Sequence, residues 1–251
     1  VKIQKKLVEE TGVDVQLNAL VTQIYREEGG NVVGVRVETA EGAKNVEAKK
    51  GVVIAAGGFG ANIDMRQQYN TQWPTLDATV PTTNHPGATG DGIVMGEAIG
   101  AGTMQMNYIQ LYPFADPITG SLDSQAVIPF SMPSYGGIYV DINGKRYVNE
   151  GDRRDVCAAA AQNSDGFPTF AVFDSTISDQ LVLPAIKESG LESGRIIEAA
   201  TLEELAEKLN ALQFKGENPT IDPAVLTESV TKFNGYLQSG TDEEFGRVLP
   251  E

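Results

Sequence analysis

Five consecutive apolar residues, Val52–Ala56, run directly into the glycine pair Gly57-Gly58. A strand that is buried on both faces of a parallel sheet has this kind of unbroken apolar sequence. A glycine pair at its end permits a tight turn or the close approach of a ligand, because glycine has no Cβ and adopts positive φ readily. The segment therefore predicts a parallel-sheet strand that ends in a glycine turn.

The residues before this strand predict a helix and an antiparallel meander. Apolar residues at helical spacing stop at Gly12, and strict alternation of apolar and polar residues begins at Val13. Turn-forming residues then separate two further extended segments. The predicted elements are a helix over 2–10 and strands over 13–26, 33–37 and 46–48.

The residues after the strand predict a mixture of helices and short strands, with a change of composition near Tyr108. Asp91 is the predicted N-cap of an amphipathic helix, and Thr201 with Glu204 forms a predicted capping box. Asn143-Gly144 predicts the turn of a hairpin. The predicted helices cover 62–69, 93–99, 175–180, 202–209 and 223–237; the hairpin covers 138–148, and a further strand covers 170–173.

Composition excludes several classes of function. The net charge of −15 opposes binding to nucleic acid or to an anionic membrane. A single cysteine, Cys157, excludes an intramolecular disulfide and a thiolate metal cluster, and a single histidine, His85, disfavours poly-histidine metal sites and hydrolase triads. No apolar run approaches the length of a membrane span. We therefore predict neither a metal site, nor a nucleic-acid partner, nor a membrane span.

The order of motifs resembles the FAD-dependent fumarate reductase and succinate dehydrogenase flavoprotein superfamily, especially its soluble flavocytochrome c and urocanate reductase branch. The matching segments are NALVTQI (18–24), VVIAAGGFGAN (52–62), ATGDGIVMGEAIGA (88–101), YIQLYP (108–113), NGKRYVNEGDRRD (143–155) and KFNGYLQSGTDEEFGR (232–247). The resemblance implies an α+β/α/β fold. Residues 1–107 would form part of an FAD-binding domain, with the antiparallel meander and the parallel-sheet strand, and residues 108–251 an α+β substrate-capping domain.

The resemblance also implies which residues lie near the FAD. In such proteins two glycine turns approach the cofactor, the second at a helix N-terminus whose amides face the ligand. From the residues alone, the same patterns also fit a plain strand–turn and a helix cap. The implied cofactor-binding residues are Val21, on the adenine side, with Ala56, Gly57, Gly58, Phe59, Thr89, Gly90, Asp91 and Gly92.

The resemblance implies two catalytic residues, Arg154 and Tyr112. In such reductases the flavin delivers hydride to one carbon of an activated C=C bond, and a cap arginine gives a proton to the other. That arginine falls on Arg154, although an Arg pair followed by Asp also fits a solvated ion-pair cluster, and Arg153 is the neighbouring alternative. Tyr112 stands where fumarate reductases carry histidine, and urocanate reductases resemble it there; simple packing is its alternative role. The relay glutamate and arginine of fumarate reductases fall on Phe130 and Pro133.

These departures disfavour fumarate and suggest a larger or less charged enoate, such as an aryl acrylate or a urocanate-like acid. The implied partners are a small-molecule unsaturated carboxylate and an electron-donor domain or protein that carries haem or FMN. The G-x-G-x-x-G unit of the superfamily is expected before residue 1, and a histidine-containing substrate segment after residue 251, so these 251 residues alone are expected to bind FAD weakly or not at all and not to turn over. A 3-ketosteroid dehydrogenase-like oxidoreductase and a non-catalytic ligand-binding or interaction module are the alternatives.

Overall fold

The computed structural model describes residues 2–122, 125, 128–214 and 218–250. The chain forms two compact units, which are described separately. The first unit comprises Val1–Asn62 and Ala88–Met106, and the second comprises Ile63–Gly87 and Asn107–Glu251. The helices and strands of the first unit are α1 (Lys2–Thr11), β1 (Leu20–Arg26), β2 (Val32–Thr39), β3 (Gly42–Glu47) and α3 (Asp91–Ala98).

The second unit contains short strands and a series of helices. The elements are α2 (Ile63–Tyr69), α4 (Ile128–Ser131), which continues as a 3-10 helix (Met132–Tyr135), β4 (Ile138–Val140), α5 (Arg154–Gln162), β5 (Phe170–Val172), α6 (Ser175–Leu181), α7 (Pro184–Glu192), α8 (Leu202–Asn210) and α9 (Pro223–Ser239). None of the helices in the described part of the chain is both long enough and apolar enough to cross a membrane.

The predicted antiparallel meander is confirmed, with the strand order β1-β2-β3. Its buried face carries Ile24 and Val37. The predicted strand over 13–26 is wrong in its first half, because the regular pairing begins only at Leu20. Asn18 has a φ of 53°, in the left-handed region, which interrupts an extended chain. The alternation of apolar residues before Asn18 therefore does not correspond to a strand.

The predicted parallel-sheet strand at Val52–Ala56 is also wrong, because this segment belongs to no β-ladder among the described residues. Val53 is 89% exposed and Ile54 is 49% exposed. A strand buried on both faces needs a neighbouring strand on each edge, and the paired strands of the first unit are those of the meander. Ile54 and Ala56 instead lie beside Gly92 of α3.

Helix α3 begins at Asp91, two residues before the predicted start at Ile93. Gly90, with a φ of 80°, is its N-cap, so the predicted N-cap role of Asp91 is wrong. Asp91 is instead the first helical residue, where a carboxylate is favoured by the positive end of the helix dipole. At the other end, Arg26 Nη1 donates a 2.8 Å hydrogen bond to the carbonyl oxygen of Ile99, which joins β1 to the end of α3.

The predicted hairpin over 138–148 is only partly correct. The turn is present, with the amide of Asp141 donating to the carbonyl of Lys145 at 2.9 Å and Gly144 at a φ of 85°. The returning chain makes a single bridge, Val140 with Arg146, and β4 pairs instead with β5. The chain leaves the ladder where Arg146 and Glu150 enter a buried ionic cluster.

Helix α8 begins at its predicted capping residue, helix α9 begins at Pro223 as predicted, and both pack against β4. Thr201 Oγ1 accepts a 3.2 Å hydrogen bond from the amide of Glu204, and the Glu204 carboxylate accepts one from the amide of Ala200 at 2.8 Å. The apolar core that they share with β4 contains Ile138, Val140, Ala206, Leu209, Ile221, Leu226 and Phe233. Sequence reasoning did not predict helices α5 and α7.

Candidate functional site

The two glycine turns of the first unit are held together by hydrogen bonds. The amide of Gly90 donates to the carbonyl of Gly58 at 3.1 Å. Asn62 reinforces the contact, because its side-chain amide donates to the carbonyl of Thr89 at 2.9 Å and its backbone amide donates to the carbonyl of Phe59 at 2.9 Å. The structure thus joins the two segments that the sequence predicts to approach the cofactor.

The glycines of these turns are required for different reasons. Gly57 and Gly90 each have a φ of 80°, which is strained for a residue with a Cβ. A Cβ on Gly92 would lie 2.7 Å from Ile54 Cγ2 and 3.1 Å from the Cβ of Ala56, so packing requires glycine there. A Cβ on Gly58 would meet no protein atom within 4 Å. The space beside Gly58 is free to receive a ligand, and the backbone at these turns fits a bound FAD.

The remaining predicted cofactor residues also lie in the first unit. Val21 is half-buried in β1 and pairs with Val37 of β2. Asp91 opens α3, whose first amides point out of the helix end as they do at anion-binding helix N-termini. Ala56 and Thr89 are exposed members of the two turns. Contact of each of these residues with the cofactor stays a prediction.

Arg154 of the second unit lies against two aromatic rings. It is exposed and is the first residue of α5. Its guanidinium carbon is 5.4 Å from the centroid of the Tyr112 ring and 4.5 Å from that of Phe130, both within cation–π range. Within the described residues no carboxylate is close enough to form a salt bridge with Arg154. Its N–H groups are therefore available to an anionic ligand.

The neighbouring Arg153 is engaged differently. Its Nε and Nη2 donate to the two carboxylate oxygens of Asp155, at 3.2 and 2.8 Å, while the side chain is 76% exposed. The Arg153–Asp155 pair thus matches the solvated ion-pair alternative. The same alternative does not describe Arg154, whose contacts are with aromatic rings.

The rings beside Arg154 belong to a continuous aromatic cluster. Phe114 packs edge-on against Tyr112 at 5.8 Å and against Tyr139 at 5.4 Å, and it lies 6.4 Å from Phe130. Burial raises the pKa of Tyr139, and it also raises the pKa of Tyr147 to about 12. Both phenols therefore stay protonated at neutral pH.

The second unit also contains a buried ionic cluster next to the aromatic cluster, which sequence reasoning missed. Its members are Arg146, Glu150, Asp242 and Arg247, each at most 4% exposed. Arg146 donates to both oxygens of Glu150 and to Asp242, each at 2.7 Å, and Arg247 donates to Glu150 at 3.0 Å. Two cations and two anions balance, which is what makes the burial of four charges tolerable.

The environment of the cluster shifts the pKa of Asp242. Burial acts to raise this pKa, but the hydrogen bond from Arg146 and those from the amides of Phe245 and Glu244 outweigh it and lower the pKa to about 2. The guanidinium carbon of Arg146 also lies between two rings, 4.8 Å from the Phe233 centroid and 4.9 Å from that of Phe245. All four ionic residues fall within the segments 143–155 and 232–247 that carry the family resemblance, but a sequence alone does not reveal that charged residues are buried.

The single histidine and the single cysteine have structural roles in the second unit. His85 Nδ1 accepts a 3.0 Å hydrogen bond from the amide of Gly87, as expected of a turn residue. Cys157 is buried, and burial raises the pKa of its thiol to about 11. Among the described residues, no group of three or more His, Cys, Asp or Glu side chains is arranged to hold a metal ion.

Comparison with known proteins places these features in a family. The family described as "FAD binding domain" matches residues 2–249. The chain belongs to the FAD-binding domain family. The cofactor predicted from the sequence, FAD, is therefore confirmed, and so is the resemblance to flavoprotein reductases. The fold class is confirmed at the level of the FAD-binding fold.

Several curated relatives align with nearly the whole chain. An NADH:acrylate oxidoreductase of Vibrio harveyi is 34% identical over 97% of the chain and 23% of its own length. A urocanate reductase of Eggerthella lenta is 30% identical over 97% of the chain and 38% of its own length. A 3-oxosteroid 1-dehydrogenase of Mycolicibacterium smegmatis is 32% identical over 95% of the chain and 42% of its own length.

Among solved structures, the open conformation of a flavocytochrome c3 fumarate reductase superimposes with a TM-score of 0.68 at 27% identity, covering 99% of this chain and 40% of that one. The chain thus spans between about a quarter and about two fifths of the length of these relatives.

Proposed function

We propose that the protein containing this chain is a flavin-dependent reductase of an activated C=C bond in an unsaturated carboxylate. The observation that carries the proposal is the state of Arg154: an exposed guanidinium, bordered by two aromatic rings and without a carboxylate partner in the described residues. Membership of the FAD-binding domain family and the similarity to an acrylate and a urocanate reductase support the same reaction class.

The first unit contributes backbone groups to the cofactor. The open space at Gly58 and the left-handed turns at Gly57 and Gly90 let the backbone approach FAD closely, and the amide end of α3 favours an anionic part of the ligand. Bound and reduced FAD supplies a hydride equivalent for the C=C bond. Val21 is assigned to the adenine side of the same cofactor.

Arg154 is assigned two tasks in the second unit. Its N–H groups donate hydrogen bonds to the substrate carboxylate, and hydrogen bonds to such a charged group are strong. When hydride adds to one carbon of the double bond, negative charge develops on the neighbouring carbon, and an N–H of Arg154 gives it a proton. The product gains one hydride and one proton, so a CH–CH single bond replaces the C=C bond, and the exposed Arg154 takes a proton from solvent before the next turnover.

Tyr112 and Phe130 are assigned the selection of the substrate. Their rings border Arg154, and Phe130 is 42% exposed. A flat conjugated acid can place its carboxylate on the guanidinium while its ring packs on these aromatic faces. We therefore favour an aryl acrylate or a urocanate-like acid over fumarate, whose second carboxylate would meet apolar surface.

The test uses the full-length protein, purified with its flavin, and follows the oxidation of a reduced viologen dye with acrylate, fumarate, urocanate and cinnamate. Arg154→Ala should lower kcat by at least about 100-fold, the usual value of a positioned proton donor. The matched control is Arg153→Ala, which removes a neighbouring, ion-paired guanidinium and should leave the rate nearly unchanged. Full activity in Arg154→Ala, with normal flavin content, would contradict the assignment.

A second candidate is a 3-ketosteroid dehydrogenase-like oxidoreductase, favoured by the 32% identity to a 3-oxosteroid 1-dehydrogenase. The same purified protein distinguishes the two. Turnover of a 3-ketosteroid with a dye acceptor, without turnover of any enoate, would replace the leading proposal. Lack of turnover with both classes, despite bound flavin, would favour a non-catalytic ligand-binding module.

A further inference from the structure

Arg247 connects the buried ionic cluster to the segment that presents Phe130. Its Nη1 donates to the carbonyl of Gly137 at 2.7 Å and to Glu150 at 3.0 Å, and its Nη2 donates to the carbonyl of Pro133. Its guanidinium carbon also lies 4.8 Å from the centroid of the Phe233 ring. A planar guanidinium can satisfy several acceptors in fixed directions, whereas the ammonium of lysine cannot reproduce this geometry.

The segment 128–135, which comprises α4 and the 3-10 helix, is therefore fixed at both ends. Near its start, the hydroxyl of Tyr139 donates a 2.6 Å hydrogen bond to the carbonyl of Pro129. Near its end, Arg247 binds the carbonyl of Pro133. Phe130 lies between these two points, and its ring borders the guanidinium of Arg154.

The same cluster also fixes the chain that leads to Arg154. Glu150 precedes Arg154 by four residues, and its carboxylate accepts from Arg146, from Arg247 and from the amide of Tyr139 at 3.1 Å. Both sides of the Arg154–Phe130 contact are thus attached to one buried carboxylate–guanidinium network. Breaking that network would release Phe130 and Arg154 from their common attachment.

We propose that Arg247 and Tyr139 form a clamp that positions the aromatic segment 128–135 against Arg154. In the described contacts the Arg154 guanidinium meets the rings of Tyr112 and Phe130 and neither Arg247 nor Tyr139, so these two are positioning residues that act through Phe130. The effect of the clamp on catalysis rests on the proposed function. Its structural effect, the placement of the Phe130 ring beside the Arg154 guanidinium, does not depend on which reaction the protein performs.

The test compares Arg247→Lys and Tyr139→Phe with a matched control, Arg66→Lys. Arg66 is equally buried and likewise donates to two backbone carbonyls, those of Val80 and Pro81, without a link to the segment 128–135 in the described contacts. A loss of stability caused merely by removing a buried guanidinium should therefore appear in both lysine variants. A loss of positioning should appear only in the clamp variants.

The first readout is the rate at which p-hydroxyphenylglyoxal modifies Arg154 in the folded full-length protein, measured by peptide mass spectrometry against Arg36, whose side chain is 42% exposed, as the internal reference. Arg247→Lys should raise the relative rate about fivefold, the factor that corresponds to a lost cation–π contact at an exposed site. Phe130→Ala should raise it directly, and Arg66→Lys should leave it unchanged. An unchanged rate in Arg247→Lys would overturn the proposal.

Tyr139→Phe removes only the hydroxyl, so it decides the question if Arg247→Lys fails to fold. An unchanged rate of Arg154 modification in Tyr139→Phe would then overturn the clamp.

The second readout is steady-state kinetics, in which the clamp variants should lose kcat with normal flavin content while Arg66→Lys keeps it. If the wild-type protein reduces no enoate, the proposed function fails, but the modification rates still decide the clamp.

Discussion

The substitution Gly58→Ala, compared with Gly92→Ala, distinguishes a glycine that leaves room for a ligand from a glycine that the fold requires. The added Cβ would meet no protein atom within 4 Å, and the backbone of Gly58 is not in the left-handed region. The folded protein without cofactor should therefore keep its stability within about 0.5 kcal/mol, as most surface substitutions do. Bound FAD should be affected, because the methyl group would occupy the space assigned to the cofactor.

The size of the effect follows from the cost of overpacking. An extra methyl group against a well-packed surface costs about 1–3 kcal/mol, which weakens binding of FAD by about 5- to 150-fold. Gly92→Ala should behave in the opposite way. Its Cβ would lie 2.7 Å from Ile54 Cγ2, so the protein without FAD should already lose about 1–3 kcal/mol of stability.

The assay is titration of the flavin-free full-length protein with FAD, followed by the quenching of flavin fluorescence, with thermal unfolding recorded alongside. Gly102→Ala is the matched control, since it adds a methyl group into open space elsewhere in the first unit and should change neither quantity. If Gly58→Ala binds FAD as tightly as the wild type, the open space beside Gly58 does not receive the cofactor. If Gly58→Ala without FAD unfolds more easily than the wild type, the fold itself requires glycine at this position.

Two further predictions concern stability. The pKa of Asp242 is about 2 in the folded protein against an ordinary 3.8, so folding favours the ionised form of this carboxylate. At about 1.4 kcal/mol per pKa unit, this difference corresponds to about 2–3 kcal/mol of folding stability. That stability is present above about pH 5 and is lost as the pH falls towards 2. Urea unfolding at several pH values should show this loss in the wild type and not in Asp242→Asn, which should be less stable at neutral pH because Arg146 loses a buried partner. Thr201→Ala should cost about 1 kcal/mol in the same assay, since it removes the N-cap acceptor of α8, and Thr201→Ser should restore most of it.

Local signals in the sequence predicted local structure well. The capping box at Thr201 and the proline after Asp222 give the first turns of α8 and α9, because a cap bonds to amides only two or three residues away. The meander was predicted for the same reason, since its strands are joined by short turns. At Val52–Ala56 the apolar run predicted burial, but burial of a strand depends on residues distant in sequence. The contact between Gly58 and Gly90 likewise spans more than thirty residues, and the family resemblance implied only that each of the two turns approaches the cofactor.

One motif, NGKRYVNEGDRRD, contains three arginines whose roles are separated by burial rather than by sequence. Arg146 is buried and its charge is matched by Glu150 and Asp242, so it cannot meet a ligand without breaking the cluster. Arg153 is exposed but already bound to a carboxylate. Arg154 combines exposure with a free N–H edge in the described structure and with aromatic faces at its sides. Of the three arginines, Arg154 is the one whose charge a substrate carboxylate can neutralise without competing with a protein anion in the described structure. The proposed chemistry is assigned to it for this reason.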